Sequence, residues 1–216
     1  MRIIVKDIIY HLPQHKVSNS DLSIENPSWD MDRVQERSGV YERYITGENE
    51  TALDLSIVAC KALLTKESFL ADQVDGLIFC TQSPDYIMPP NACILHKELN
   101  LSENVLAFDF NLACSGYIYG LAIAQGLIKS GQLSNILLVN ADTYSKYIHK
   151  KDRATRALFG DGAAVAWITH SESDEGIVDI QCATYGKGYD KFMIPAGGLR
   201  KPVNEKTKIY ECAKQS

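Results

Sequence analysis

The sequence predicts an α/β protein built on a largely buried mixed sheet, and three observations carry that expectation. Apolar runs of strand length recur at Val74–Thr81, Val105–Phe110 and Asn135–Asp142, and the near-continuous run at Val74–Thr81 is of the sort covered on both faces of a sheet. Thr51–Leu64 and Tyr117–Lys129 instead repeat their apolar residues at spacings of three and four, the pattern of helices with one stripe packed inward. The two patterns alternate along the chain, which favours strand–helix–strand units over separate all-α or all-β parts.

Taken in order, Arg2–Leu12 reads as a first strand, ended by Pro13, which has no N–H to give to a ladder. The stretch from Asn19 to Arg37 is mixed, with Ser18, Asn19, Ser20 and Asp21 as candidate caps and Asn26-Pro27 as a turn. Arg37 and Arg43 read locally as parts of a solvated charged face. In the Thr51–Leu64 helix, Leu53, Leu55, Ile57, Val58, Ala59, Ala62 and Leu63 form the packing stripe. Ser83–Pro90 is a loop rich in breakers, yet Tyr86, Ile87 and Met88 make it more apolar than a linker requires. Cys93 is expected to face a core where the next helix begins. Beyond Asn135–Asp142 comes a basic run holding Lys146, His149, Lys150, Lys151, Arg153 and Arg156, with His149 expected at the surface. Glycines at 160 and 162 permit close backbone approach before a strand at Ala163–Ile168, and Gly176–Gly186 is predicted to form one more strand.

Composition narrows the function. The chain has 216 residues, 45% of them hydrophobic and 23% charged, as in an ordinary globular protein. Its net charge of −5 argues against a nucleic-acid partner. No apolar run reaches the length of a membrane span, and Met1–Lys6 enters a strand pattern without a signal-peptide core, so the expected location is the cytoplasm. The six cysteines form no CxxC pair and no cluster with histidine, so neither a metal centre nor a disulfide framework is expected. Cys60 and Cys80 lie within apolar helix and strand patterns as small buried residues, Cys182 lies in a β run, and Cys212 in a polar tail.

Cys114 is different. Asn111-Leu112-Ala113-Cys114-Ser115-Gly116 joins a strand to a helix. There the first helical N–H groups lack intrahelical partners and the helix dipole favours negative charge, so a thiolate is stabilised, while small Ser115 and Gly116 leave the sulfur open.

Three segments carry a resemblance: Arg37-Ser38-Gly39-Val40-Tyr41-Glu42-Arg43, the Cys114 turn, and Phe159-Gly160-Asp161-Gly162-Ala163-Ala164 preceded by Asp152-Arg153. In this order they resemble β-ketoacyl-acyl-carrier-protein synthase III of the thiolase superfamily, and the likeness runs from residue 1 to about residue 190. It implies a thiolase-like layered fold, with residues 1–172 as a first repeat carrying the nucleophile and 173–216 as the beginning of an incomplete second repeat. It also implies that Cys114 takes an acyl group from acyl-CoA for decarboxylative Claisen condensation with malonyl-acyl-carrier protein. Acyl-CoA enters as substrate, and no cofactor is implied. By the same resemblance Arg37 and Arg153 meet the nucleotide end of coenzyme A, and Met88 reaches across a homodimer interface. Tyr144, Leu158 and Phe159 line the acyl pocket.

Two departures stand beside this. The family's adenine-stacking tryptophan falls at Arg33 rather than at Trp29, and no His-Gln-Ala-Asn context follows Cys114. The chain as given is therefore expected to capture an acyl group without completing condensation. Another thiolase-superfamily synthase, a chain-transfer acyltransferase, and a noncatalytic or truncated partner subunit stay open as alternatives.

Overall fold

A five-stranded sheet runs in the order β1 (Ile3–His11), β7 (Gly162–His170), β6 (Asn135–Asp142), β4 (Gly76–Cys80), β5 (Leu106–Phe110) in the computed structural model, which describes residues 2–67 and 71–203. β4 pairs in parallel with β5 and β6, whereas β7 is antiparallel to both β6 and β1. This is the mixed sheet the apolar runs predict, and all five residues of β4 are buried.

Side chains alternate across the sheet and so build two cores. Leu77, Phe79, Leu137, Val139, Val165 and Trp167 pack on one face with α3 (Ala52–Lys66) and α4 (Asn91–Glu98). Ile78, Ile136, Leu138, Ala166 and Ile168 face the other way, toward α5 (Gly116–Lys129). Each large side chain buried in this way contributes about 1.5–3 kcal/mol. Gly120 lets α5 approach closely, since a Cβ there would lie 2.5 Å from Leu138.

Capping explains where the helices begin. Thr51 and Asp54 form a reciprocal capping box for α3, one residue from the predicted start. The mixed stretch resolves into α1 (Asn19–Glu25), capped by Ser18 and Asp21, and α2 (Met31–Ser38), capped by Asp30 and closed by Gly39 at φ 72°. Either side of these helices, β2 (His15–Ser18) and β3 (Glu42–Ile45) pair antiparallel. α4 has no side-chain cap of its own. Asp109 of β5 serves instead, accepting from Asn91 N at 2.6 Å and Ala92 N at 2.7 Å.

Four local expectations are corrected. Gly176–Gly186 forms no ladder. Ile177 N donates once to Ile3 O, and the segment then packs Ile177 and Ile180 onto the α5 side of the sheet, so its apolar residues serve as cover. Arg43 is buried rather than solvated, donating to Val17 O, Asn19 Oδ1 and Ala157 O. Burial and the nearby Arg156 lower the pKa of its guanidinium. Cys93 is exposed because Asn91, Ala92 and Leu95 occupy the core face of α4. Cys182 is exposed outside any strand, while Cys212, with the tail from Asn204, lies outside the described residues.

Candidate active site

The parallel strands β4, β5 and β6 end side by side at Cys80, Phe110 and Asp142, and the segments that follow them converge. In open α/β sheets the carboxyl ends of strands are where ligands bind. The middle segment carries Cys114, exposed on the turn into α5, with Gly116 N donating to Ala113 O at 2.7 Å. Below the turn, Cys80 Sγ donates to Leu112 O at 3.2 Å, and a Cβ at Gly116 would lie 2.3 Å from that sulfur. Burial pushes the Cys80 thiol up to about 11, so it stays protonated and serves as a donor. The two thiols thus divide into one buried support and one exposed on the turn.

Cys114 opens onto a chamber of about 490 Å³ that also holds Cys80, Tyr144 and Phe159, with Leu138, Ala164 and Ala166 of the sheet as its floor. That volume suits a small organic group. A second chamber of about 340 Å³ shares Ala113, Tyr144 and Phe192 with the first and continues to His149, Asp152 and Thr155. The shared wall is aromatic. Tyr144 stacks on Phe159 with centroids 5.6 Å apart, and Phe159 stacks on Phe192 at 6.3 Å. Burial, with the Asp142 carboxylate as the next cause, pushes the Tyr144 phenol up to about 12, so it donates as a neutral hydroxyl.

Two carboxylates hold the loops. Asp142 accepts from Gln82 N at 2.7 Å, Ser83 Oγ at 3.0 Å and Thr81 Oγ1 at 3.1 Å. Burial raises its pKa, and these hydrogen bonds oppose the rise. Asp161 is buried and accepts from both the N–H and the hydroxyl of Thr46 and of Ser145. The preceding Gly160 lies against β3, where a Cβ would meet Tyr44 O at 2.8 Å, so the glycines predicted to allow close approach do so.

Arg37 and Arg153 lie together. With Arg33, Asp30 and Val34 they line a cleft of about 260 Å³. Arg153 begins α6 (Arg153–Arg156), whose cap Asp152 and whose Thr155 belong to the second chamber, so this one turn joins the cleft to the chambers. Trp29 packs instead against the Val17, Leu22, Met31 and Ala157 cluster.

Other expected residues fall elsewhere. Leu158 lines neither chamber and is 46% exposed, because Phe159 beside it takes the inward position. Met88 is 79% exposed and lines neither chamber of its own chain. His149 is half-buried in the second chamber rather than at the surface. In the basic run, Lys146 donates to Gly47 O and Glu48 O, and Arg156 pairs with Glu25, so both hold the fold. Sequence reasoning missed Gln82, Asn140 and Phe192, which line the chambers but carry no local pattern that announces it. Among the described residues, no group of His, Cys, Asp and Glu is placed to hold a metal ion, and no helix is long and apolar enough to cross a membrane.

Comparison with known proteins points one way. The family model described as 3-oxoacyl-[acyl-carrier-protein (ACP)] synthase III matches residues 108–186. A putative 3-oxoacyl-[acyl-carrier-protein] synthase 3 of Campylobacter jejuni is 38% identical over 201 residues, covering 92% of this chain and 56% of that protein. The β-ketoacyl-[acyl-carrier-protein] synthase III of Caldanaerobacter subterraneus is 37% identical over 197 residues, covering 91% and 59%. A crystal structure of a 3-oxoacyl-(acyl-carrier-protein) synthase III superposes with a TM-score of 0.90 at 38% identity, over 95% of this chain and 61% of that one. The Pseudomonas aeruginosa synthase III gives 0.84 at 31% identity, over 94% and 63%. The chain therefore spans between 56% and 63% of the length of these relatives.

Proposed function

We propose that this chain, homologous to the 3-oxoacyl-[acyl-carrier-protein] synthase III family, takes an acyl group onto Cys114 from an acyl-CoA thioester. The observation that carries the reading is the succession of hollows: the cleft of three arginines, the second chamber beside it with the α6 turn contributing to both, and the first chamber that holds the Cys114 sulfur. One end suits phosphate, which a planar guanidinium grips through paired N–H groups. The other end suits an apolar acyl chain.

In this mechanism the Cys114 thiolate attacks the thioester carbonyl carbon and forms a new S–C bond. Backbone N–H groups of the turn, including that of Cys114, stabilise the resulting oxyanion. The intermediate collapses by breaking the bond to coenzyme A, whose thiolate departs and takes up a proton. Condensation would then require a malonyl group on acyl carrier protein to lose carbon dioxide and its carbanion to attack the acyl group, forming a C–C bond and returning Cys114, a step whose His-Gln-Ala-Asn donors have no counterpart after Cys114 in this sequence. The proposal includes acyl carrier protein as the second partner, the cytoplasm as location, and a homodimer in which the exposed Ile87 and Met88 contact a second copy. A polyketide-priming role is the second reading, supported by a TM-score of 0.73 at 26% identity to the priming β-ketosynthase of a polyketide biosynthetic pathway, over 80% of this chain and 51% of that one.

Intact-mass measurement after incubation with a panel of acyl-CoAs tests both readings. The expected result is one acyl adduct, mapped to Cys114 and lost in Cys114→Ala. An adduct on another cysteine, or none, would refute the reading. Preference within the panel separates straight-chain fatty-acid starters from polyketide starters.

A further inference from the structure

We infer that Gln82 is a positioning residue for the Cys114 turn, acting through Asn111 and Tyr144; the inference rests on the proposed acyl capture. Gln82 lies two residues beyond the Cys80 end of β4, and its backbone N–H is fixed by Asp142 at 2.7 Å. Its side chain reaches both neighbouring segments. Nε2 donates to Asn111 Oδ1 at 3.1 Å, and Oε1 accepts from the Tyr144 hydroxyl. One amide therefore cross-links the carboxyl ends of three parallel strands, and Asn111 is the first residue of the segment that carries Cys114.

The chemistry requires a group of this kind. Attack on a thioester needs the sulfur and the oxyanion donors aligned on one carbonyl carbon, and a displacement of about 1 Å can cost a factor of about 100. Ser115 caps α5 without a side-chain hydrogen bond, so local sequence does little to fix the turn. An amide suits the bridge because it both donates and accepts. The same bond to Tyr144 holds the ring that stacks on Phe159, which ties the turn to the wall shared by the two chambers.

Gln82→Leu keeps the bulk and removes both hydrogen bonds. Gln82→Glu keeps the acceptor for Tyr144, and a rotated Asn111 amide can donate to its carboxylate. The expected result for Gln82→Leu is a fall of about tenfold in the saturating rate of Cys114 acylation, within the range that misplacement produces. The half-saturating acyl-CoA concentration and the rate of iodoacetamide labelling at Cys114 change less than about twofold, because neither needs the aligned turn. Gln82→Glu recovers most of the rate. Hydrogen exchange of residues 111–116 gives a readout independent of acylation, and Gln82→Leu should accelerate it selectively relative to β4. Unchanged acylation and exchange would overturn the inference, as would a parallel fall in acylation, labelling rate and thermal midpoint. If the unsubstituted chain forms no adduct, the proposed function fails, and exchange at 111–116 alone decides whether Gln82 positions the turn.

Discussion

Replacing Gly116 by Ala probes the contact on which the Cys114 turn rests. The added Cβ would lie 2.3 Å from Cys80 Sγ, while the next neighbour, Leu112 Cβ, stands at an ordinary 3.5 Å. The sulfur is thus the main obstacle. It is poorly placed to move, being buried at 3% exposure and bonded to Leu112 O. Ala gains at most about 1 kcal/mol over Gly in a helix interior, and less at a first helical position. Overpacking costs about 1–3 kcal/mol, so the net effect is a loss of about 1–2 kcal/mol. Cys80→Ala alone should cost about 1 kcal/mol through lost contacts and one weak hydrogen bond. Because it also removes the obstacle, the double variant should be about as stable as Cys80→Ala, giving a favourable coupling of about 1–2 kcal/mol. Urea midpoints at constant slope measure all four chains. Losses that add to within about 0.5 kcal/mol would show that the two residues do not meet and refute the reasoning.

Further outcomes follow from the capping, the buried carboxylate and the arginine cleft. Asp109→Ala removes the only side-chain cap seen on α4 and should cost about 1–2 kcal/mol by urea denaturation, with Asp109→Asn recovering part of it. Burial raises the Asp142 pKa in the folded state, so its contribution to stability is full below the usual aspartate value of about 3.9 and is lost as pH rises through the folded value. Asp142→Asn keeps an acceptor for Gln82 N. It should therefore gain on the unsubstituted chain between pH 4 and pH 7, and a constant difference in urea midpoint across that range of about three pH units would contradict the cause given. Arg37→Ala and Arg153→Ala should each weaken binding of acyl-CoA more than of acyl-pantetheine, with a gap that narrows in high salt; equal losses would remove both from the nucleotide end.

What the sequence made legible was whatever depends on periodicity or on a residue's own neighbours. The β4 and β6 runs, the Thr51 start of α3 and the turn holding Cys114 all belong to this class, as does the α3 stripe except for Val58 and Ala62, which are exposed while Ser56 and Cys60 take the buried face. Arg43 was misread because its acceptors, Val17 O and Ala157 O, come from 26 and 114 residues away. The α4 cap was hidden for the same reason, since Asp109 lies 18 residues beyond Asn91. Gly176–Gly186 has strand-like composition, but composition does not distinguish a strand in a ladder from an extended segment laid over a sheet face. Leu158 and Phe159 show the limit of a resemblance: it picks out the segment, while the local backbone decides which of two adjacent side chains turns inward.

The arrangement also explains why so much of the polar framework lies at one edge of the sheet. Three parallel strands end together, and each end is held by a group from another segment: Asp142 by Gln82 and Ser83, Leu112 by Cys80, Asn111 by Gln82. None of these bonds lies within a helix or a strand ladder, so none is secured by secondary structure. Their combined effect is to set the loops relative to one another, which is what a reaction at Cys114 requires of a thiol on a turn. The sheet behind them is apolar and its ladder does not use them. Loss of one bridge should therefore appear first in the rate of acylation and in local hydrogen exchange, and only weakly in global stability. The Gly116 contact is different in kind, because it sits where the helix meets the sheet floor, and there overpacking should lower both.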